Sequence, residues 1–250
     1  MILLETSFNL IEMFSSVQGE GPFIGFRQIF IRFSRCNLNC IYCDTPNNQN
    51  NLFCVIEQNP GYKDFKKEPN PISMDKIIDS IRAWNPKIHH SVSFTGGEPL
   101  LEDPLSLVKL MKEIKSLQLK VFLETNGTLP ERFQELAEAV DIVSMDIKLP
   151  SSVEKDYTNE HYNFIKAAQK KELYLKIVIT KATMIDELQK YIELIASVNR
   201  DIPLILQPAT QHNDAYPPSS DKLLYFQEIA QGILNSVRII PQAHKMMNQL

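Results

Sequence analysis

Three of the chain's four cysteines, Cys36, Cys40 and Cys43, lie within "CNLNCIYC" at a C-x3-C-x2-C spacing. Thiolates this close hold soft metals, either zinc or the irons of an iron–sulfur cluster. Structural zinc normally needs four protein ligands, and iron–sulfur clusters usually take four cysteines. Cys54 could supply a fourth ligand, but it sits in a polar stretch; His89, His90, His161, His212 and His244 are all distant in sequence. A cubane on three thiolates would keep one iron open to an outside ligand. An open coordination position marks a reactive metal rather than a structural one.

Apolar β-branched runs alternate with amphipathic stretches and must position this loop. Strands are expected at 28–33, 91–94, 120–124, 141–147, 173–180, 203–207 and 236–240. Helices are expected at 73–84, from 103 to about 117, near 130–139, and at 156–171, 184–198 and 219–234. Ser73 is a candidate N-cap, with Ile77, Ile78 and Ile81 on one face; Pro104 suits a first turn. Residues 46–72, with a run of Asn and several Pro, read as an irregular insertion.

Strands alternating with helices argue for an α/β fold with a mostly parallel sheet. Seven strands are too few for a closed eight-stranded barrel, so a partial (β/α) barrel is the first expectation and an open doubly wound sheet the second. Either fold places ligands at the C-terminal strand ends. The cysteine loop, "TGGEP" (95–99), "TNG" (125–127) and "QPAT" (207–210) all follow strands there.

The 250 residues carry a net charge of −4, with 44% hydrophobic and 22% charged residues. That suits one globular domain over 1–250, since no Ser/Gly-rich linker divides it. It offers no basic field to nucleic acid or an anionic membrane. The start "MILLETSFNLIEMF" lacks the basic region of a signal peptide, and clustered cysteines without an export signal point to metal in a reducing cytoplasm.

The C-x3-C-x2-C loop after a first strand, with Tyr42 before the last Cys, resembles the radical S-adenosylmethionine (SAM) superfamily. The resemblance implies a 4Fe–4S cluster on Cys36, Cys40 and Cys43. Its open iron would be chelated by SAM, which is cleaved to a 5′-deoxyadenosyl radical. "GGEP" (96–99) matches the superfamily's second motif, which contacts the SAM amino group. Paired glycines allow close backbone approach, and Glu98 can accept from an ammonium.

"FSSVQGEGPFIGFRQIFIRF" (14–33), "CDT" (43–45) and "TGGEP" resemble more narrowly the 7-carboxy-7-deazaguanine synthases of queuosine and related deazapurine biosynthesis. Weaker likeness continues through "SMDIK", "LQP" and "PQAHK". That resemblance implies conversion of 6-carboxy-5,6,7,8-tetrahydropterin to 7-carboxy-7-deazaguanine with loss of ammonia, supported by Mg2+. It places Val17, Gln18 and Gly19 on the pterin, with Arg32 and Thr95 as further substrate contacts, and Thr45 on Mg2+. Glu20 joins them on chemistry, because a carboxylate answers the N–H donors of a pyrimidine edge. Arg32 can take the substrate carboxylate bidentately. Tyr42, Cys43, Asp44, Gly97 and Ser144 match SAM contacts; Asp146, Lys148 and Gln207 share that rim. His244 is expected to be a surface residue. A homodimer and a flavodoxin or ferredoxin electron donor follow from the resemblance alone. The rival readings are a glycyl-radical-enzyme activase and a non-catalytic metal-stabilised binding protein using Cys54 as fourth ligand.

Overall fold

The computed structural model describes residues 6–45, 51–212 and 215–249. The chain enters through β1 (Ser7–Phe8) and β2 (Leu10–Val17), then β3 (Arg27–Phe33), which leads into the cysteine loop. β4 (Phe53–Glu57), β5 (Phe65–Pro69) and β6 (Ile72–Ser73) follow, then α1 (Met74–Ala83). From there strands and helices alternate. β7 (Ser91–Gly96) precedes α2 (Pro104–Ser116), and β8 (Lys120–Thr125) precedes α3 (Pro130–Leu136). β9 (Ile142–Ile147) leads to α4 (Pro150–Val153) and α5 (Thr158–Ala168); β10 (Glu172–Ile179) leads to α6 (Ile185–Val198). β11 (Leu204–Pro208), α7 (Ser220–Gln231), β12 (Val237–Ile239) and α8 (Ala243–Met246) close the series. Ser73 caps α1 by accepting from Lys76 N, and Asp103 caps α2 by accepting from Ser106 N.

The main sheet runs β12-β11-β10-β9-β8-β7-β3-β2-β4-β5. The seven strands from β3 to β12 are mutually parallel and stand in chain order. A doubly wound sheet reverses its order at a switch point; this one does not, so its helices share one face. The fold is therefore a partial barrel, as expected. Alternation along each strand sorts the side chains. On β10, Leu175, Ile177 and Ile179 join the core beneath the helices, while Tyr174 and Lys176 face the concave side.

Two stretches differ from expectation. Of the expected irregular insertion, 46–50 lie outside the described residues, and 51–72 are regular: β4 and β5 form an antiparallel hairpin, and β4 extends the sheet beside β2. Cys54 and Ile56 are buried in it, a short alternation that the Asn, Lys and Pro around it hide in the sequence. β2 is a full strand antiparallel to β3, where the sequence drew attention only to the polar loop that follows it.

Candidate active site

The concave face has two ends of opposite character. Toward the N-terminal strand ends, Phe122, Ile142, Tyr174 and Ile205 form a second, smaller apolar cluster. Phe23, from the turn Gly21–Phe23, packs edge-on to Phe122 at 5.5 Å. Gly21 adopts φ +64°, and a Cβ there would lie 2.4 Å from Tyr174. The loop after β2 therefore folds over the concave face and plugs one end. At the C-terminal strand ends lies a cavity of about 430 Å³. Two residues further along the same strands, the side chains become Glu124, Ser144, Lys176 and Gln207.

Cys36, Cys40 and Cys43 all line this cavity. Burial pushes the Cys36 thiol up to about 11 and raises Cys40 as well. Such thiols become good ligands only when a metal deprotonates them. Among the described residues, no three His, Cys or carboxylate side chains are grouped to hold a metal ion. A cubane spreads its ligands over separate corners and asks less convergence of the loop than one zinc would. Cys54 is buried in the core on β4 and does not line the cavity. Burial drives its thiol to about 12.

The "GGEP" turn is clipped to the cysteine loop. Gly97 N donates to Phe33 O at 2.9 Å and Glu98 N to Arg35 O at 2.6 Å. A Cβ on Gly97 would lie 1.9 Å from Arg35 O, so only glycine fits. Glu98 is placed otherwise than the sequence suggests. Its carboxylate is buried beneath the turn, accepting from Leu100 N (3.1 Å), Thr125 Oγ1 (2.9 Å) and Asn126 N (2.7 Å). Burial raises it to about 7 against those hydrogen bonds. It does not line the cavity; it braces the "GGEP" and "TNG" turns against each other. Asn126 Nδ2 in turn donates to Asn37 Oδ1 in the cysteine loop at 2.9 Å.

On the cofactor side of the expected site, Tyr42, Asp44, Gly97, Ser144, Asp146, Lys148 and Gln207 all line the cavity. Lys148 Nζ sits 2.8 Å from Asp146 Oδ2 and 5.2 Å from the centre of the Tyr42 ring. Asp146 Oδ1 and Gln207 Oε1 are buried and have no hydrogen-bond partner. Buried polar atoms are rarely left so without a reason, and both belong to residues that line the cavity.

On the substrate side, Glu20, Arg32, Thr45 and Thr95 line the cavity. Arg32 Nε donates to Glu12 at 2.7 Å, and Nη1 reaches Thr45 Oγ1 at 3.4 Å. Val17, Gln18 and Gly19 do not line it. Gln18 is buried behind the wall, donating to Gln28 (3.1 Å) and Glu124 (3.0 Å) and accepting from Glu20 N. Gly19 lies under the C-terminal tail: its carbonyl accepts from Ala243 N, and a Cβ would meet His244 Nδ1 at 2.2 Å. His244 is thus packed on the loop rather than a free surface residue.

Sequence reasoning missed Glu124, Lys176 and Gln242, all of which line the cavity. Glu124 gathers Thr95 Oγ1 (2.6 Å), Ser93 Oγ (3.1 Å) and Gln18 Nε2. The available signal was a charge inside an apolar strand: Lys176 in "LYLKIVIT" stands as Arg32 does in "QIFIRF".

Comparison with known proteins decides the family. Residues 30–195 match the Radical SAM superfamily. The chain is 45% identical to the 7-carboxy-7-deazaguanine synthase of Geobacter sulfurreducens, over 96% of this chain and 97% of that one. This chain belongs to that family. The synthase of Methanocaldococcus jannaschii is 33% identical over 96% of this chain and 99% of its own. Among solved structures, QueE from Escherichia coli superposes with a TM-score of 0.60, covering 95% of each chain at 21% identity, a likeness of fold. As a radical SAM protein and a 7-carboxy-7-deazaguanine synthase by family, the chain carries its three cysteines, glycine turn and orphaned acceptors around one cavity. That donor set fits a cluster with a SAM molecule beside it.

Proposed function

We propose that this chain is a radical SAM carbon–nitrogen lyase that contracts 6-carboxy-5,6,7,8-tetrahydropterin to 7-carboxy-7-deazaguanine and releases ammonia. One observation carries the reading: the three-cysteine loop and the Glu20–Arg32–Thr95 wall border a single cavity. Its volume of about 430 Å³ falls within the range of small-molecule sites.

Cys36, Cys40 and Cys43 would hold the cluster. Gly97, Tyr42, Asp44, Ser144, Asp146 and Lys148 would hold SAM. When bound, these groups supply the one-electron chemistry that starts the reaction. The chain's own residues orient the pterin. Arg32 keeps N–H donors beyond those on Glu12 and Thr45 for the substrate carboxylate. Glu20 accepts from the pyrimidine edge, and Gln207 Oε1 is a buried acceptor on the same side. Thr45 would supply one oxygen to Mg2+, with substrate oxygens and waters completing the shell. Because Arg32 Nη1 already faces Thr45 Oγ1, a cation there requires the substrate carboxylate beside it.

A reduced flavodoxin or ferredoxin is the proposed electron donor and a homodimer the proposed assembly. No helix among the described residues is long and apolar enough to cross a membrane.

The test is anaerobic incubation of reconstituted enzyme with SAM, dithionite, Mg2+ and the tetrahydropterin, followed by mass spectrometry. The expected product is 7-carboxy-7-deazaguanine. Formation of 5′-deoxyadenosine only when a partner protein is added would instead identify a glycyl-radical activase.

A further inference from the structure

Lys176 has no place in the roles above, yet it sits at the centre of the cavity's charge. It lies two-thirds of the way along β10, a strand whose other residues after Glu172 are uncharged. Its side chain is 11% exposed. The ammonium is paired with Glu20 Oε2 and lies 3.5 Å from Asp146 Oδ2, which in turn pairs with Lys148. A chain of alternating sign thus runs from the substrate wall, through Glu20, Lys176, Asp146 and Lys148, to Tyr42 in the cysteine loop. A lone buried ammonium is costly. Two carboxylates around it remove that cost and are themselves fixed in place.

The arrangement around Glu20 says what is fixed. Lys176 holds Oε2, while Gln242 Nε2 (2.8 Å) and Gln207 Nε2 (3.3 Å) both donate to Oε1. A carboxylate offers about four acceptor positions. Three are taken by protein donors, which leaves about one for a ligand. Beside it, Gln207 Oε1 is buried and without a partner, although Gln207 is only 3% exposed. The wall therefore holds one anionic oxygen, on Glu20, that can only accept. That oxygen matches an N–H donor, as on the amino-pyrimidine edge of a pterin.

We propose that Lys176 is a positioning residue that holds Glu20 as an oriented anion, and that it thereby makes the site selective for ligands presenting N–H donors at that edge. The inference rests on reading this cavity as the pterin site.

The electrostatics agree. Burial would raise the Glu20 carboxyl, but the Lys176 charge and its hydrogen bond, with help from Gln242 and His244, bring it down to about 2. The other ionisable groups facing Glu20 and Lys176 are Asp44 from the cysteine loop, Asp146 on β9, Lys148 just after it, Glu124 on β8 and Tyr174 on β10. Lys148 is a further cation on this line of charges, and it is engaged by Asp146. With a neutral residue at 176, burial prevails and Glu20 takes up a proton as pH falls from neutral. Because its carboxyl is then raised, anion-dependent binding is present at high pH and lost as pH falls through the new value.

The experiment measures binding of 6-carboxypterin by fluorescence to the reconstituted enzyme with SAM, from pH 5.5 to 7.5. Wild type, Lys176→Met, Lys176→Arg, Glu20→Gln and the Glu20→Gln/Lys176→Met double variant are compared. Wild type is expected to bind with no dependence on Glu20 titration. Lys176→Met should weaken binding about 10- to 100-fold at pH 5.5, the range for losing a charge-assisted hydrogen bond, and recover part of it at pH 7.5. Lys176→Arg should restore the flat profile. Glu20→Gln should be weak at every pH, and the double variant no weaker than Glu20→Gln. If Lys176→Met does not fold, the comparison of Glu20→Gln with the double variant, neutral at both positions, decides. Additive losses there, or a Lys176→Met profile parallel to wild type, would overturn the inference. Failure of wild type to bind the probe would overturn the pterin reading itself, and the inference with it.

Discussion

Each central strand contributes to both ends of the concave face, and the two ends obey different rules. β8 places Phe122 in the apolar plug and Glu124 in the cavity; β10 places Tyr174 in the plug and Lys176 in the cavity; β11 does the same with Ile205 and Gln207. A step of two residues keeps the face and changes the depth. The plug is apolar and buried, while the polar end is crowded with donors, acceptors and four linked charges from Glu20 to Lys148. The contrast suggests a division of labour: the plug sets the spacing of the strands and the far ends use that spacing for chemistry.

The sharpest way to break this division is to disable each end separately. Cys40→Ala should abolish the cluster absorbance and all SAM cleavage while leaving thermal stability of the apo-protein nearly unchanged. Phe122→Ala should do the reverse. Emptying a fully buried aromatic site costs about 3–5 kcal/mol, read as a large fall in melting temperature, with the cysteine loop still able to load its cluster. A Phe122→Ala protein that is stable but cannot assemble the cluster would erase the distinction.

Arg32→Ala tests the polar end more finely. Pterin turnover should fall at least about tenfold, the loss of one charge-assisted contact, while uncoupled SAM cleavage persists. Equal loss of both would remove Arg32 from the substrate wall.

Glu98 sharpens the comparison because it serves the polar end without entering it. Its carboxyl is raised to about 7 by burial, so the folded protein binds that proton more tightly than the unfolded chain. Its contribution to stability is therefore present below the ordinary carboxylate value and lost as pH rises through about 7. The melting temperature of wild type relative to Glu98→Gln should fall from pH 5 to 8; a constant difference would remove Glu98 from this role. The smallest effect belongs to Cys54→Ala: about 1 kcal/mol from a small cavity on β4, with cluster content unchanged. Loss of metal in that variant would revive a four-thiol site.

The seven parallel strands were legible because each is an apolar run bounded by turn residues, and Cys36, Cys40, Cys43 and Gly97 because spacing and loop position mark them. Glu98 was misplaced because a carboxylate beside a glycine turn looks the same in sequence whether it faces a ligand or braces the turn. Which way it points depends on Thr125 and Asn126, contributed by another strand end. Gln18 was misplaced for a like reason: its amide serves Gln28 and Glu124 behind the wall. The β4–β5 hairpin escaped notice because its two strands bury few residues between charged ones. Gln242 reaches Glu20 only through the path of the C-terminal tail, which no local pattern specifies.

The metal at the polar end is the centre of the chemistry. Mössbauer spectroscopy of 57Fe-reconstituted enzyme, recorded anaerobically with and without SAM, reads it iron by iron. A 4Fe–4S signal in which one iron alone shifts on adding SAM is the expected result. Four irons indifferent to SAM, or a protein that retains only zinc, would contradict it.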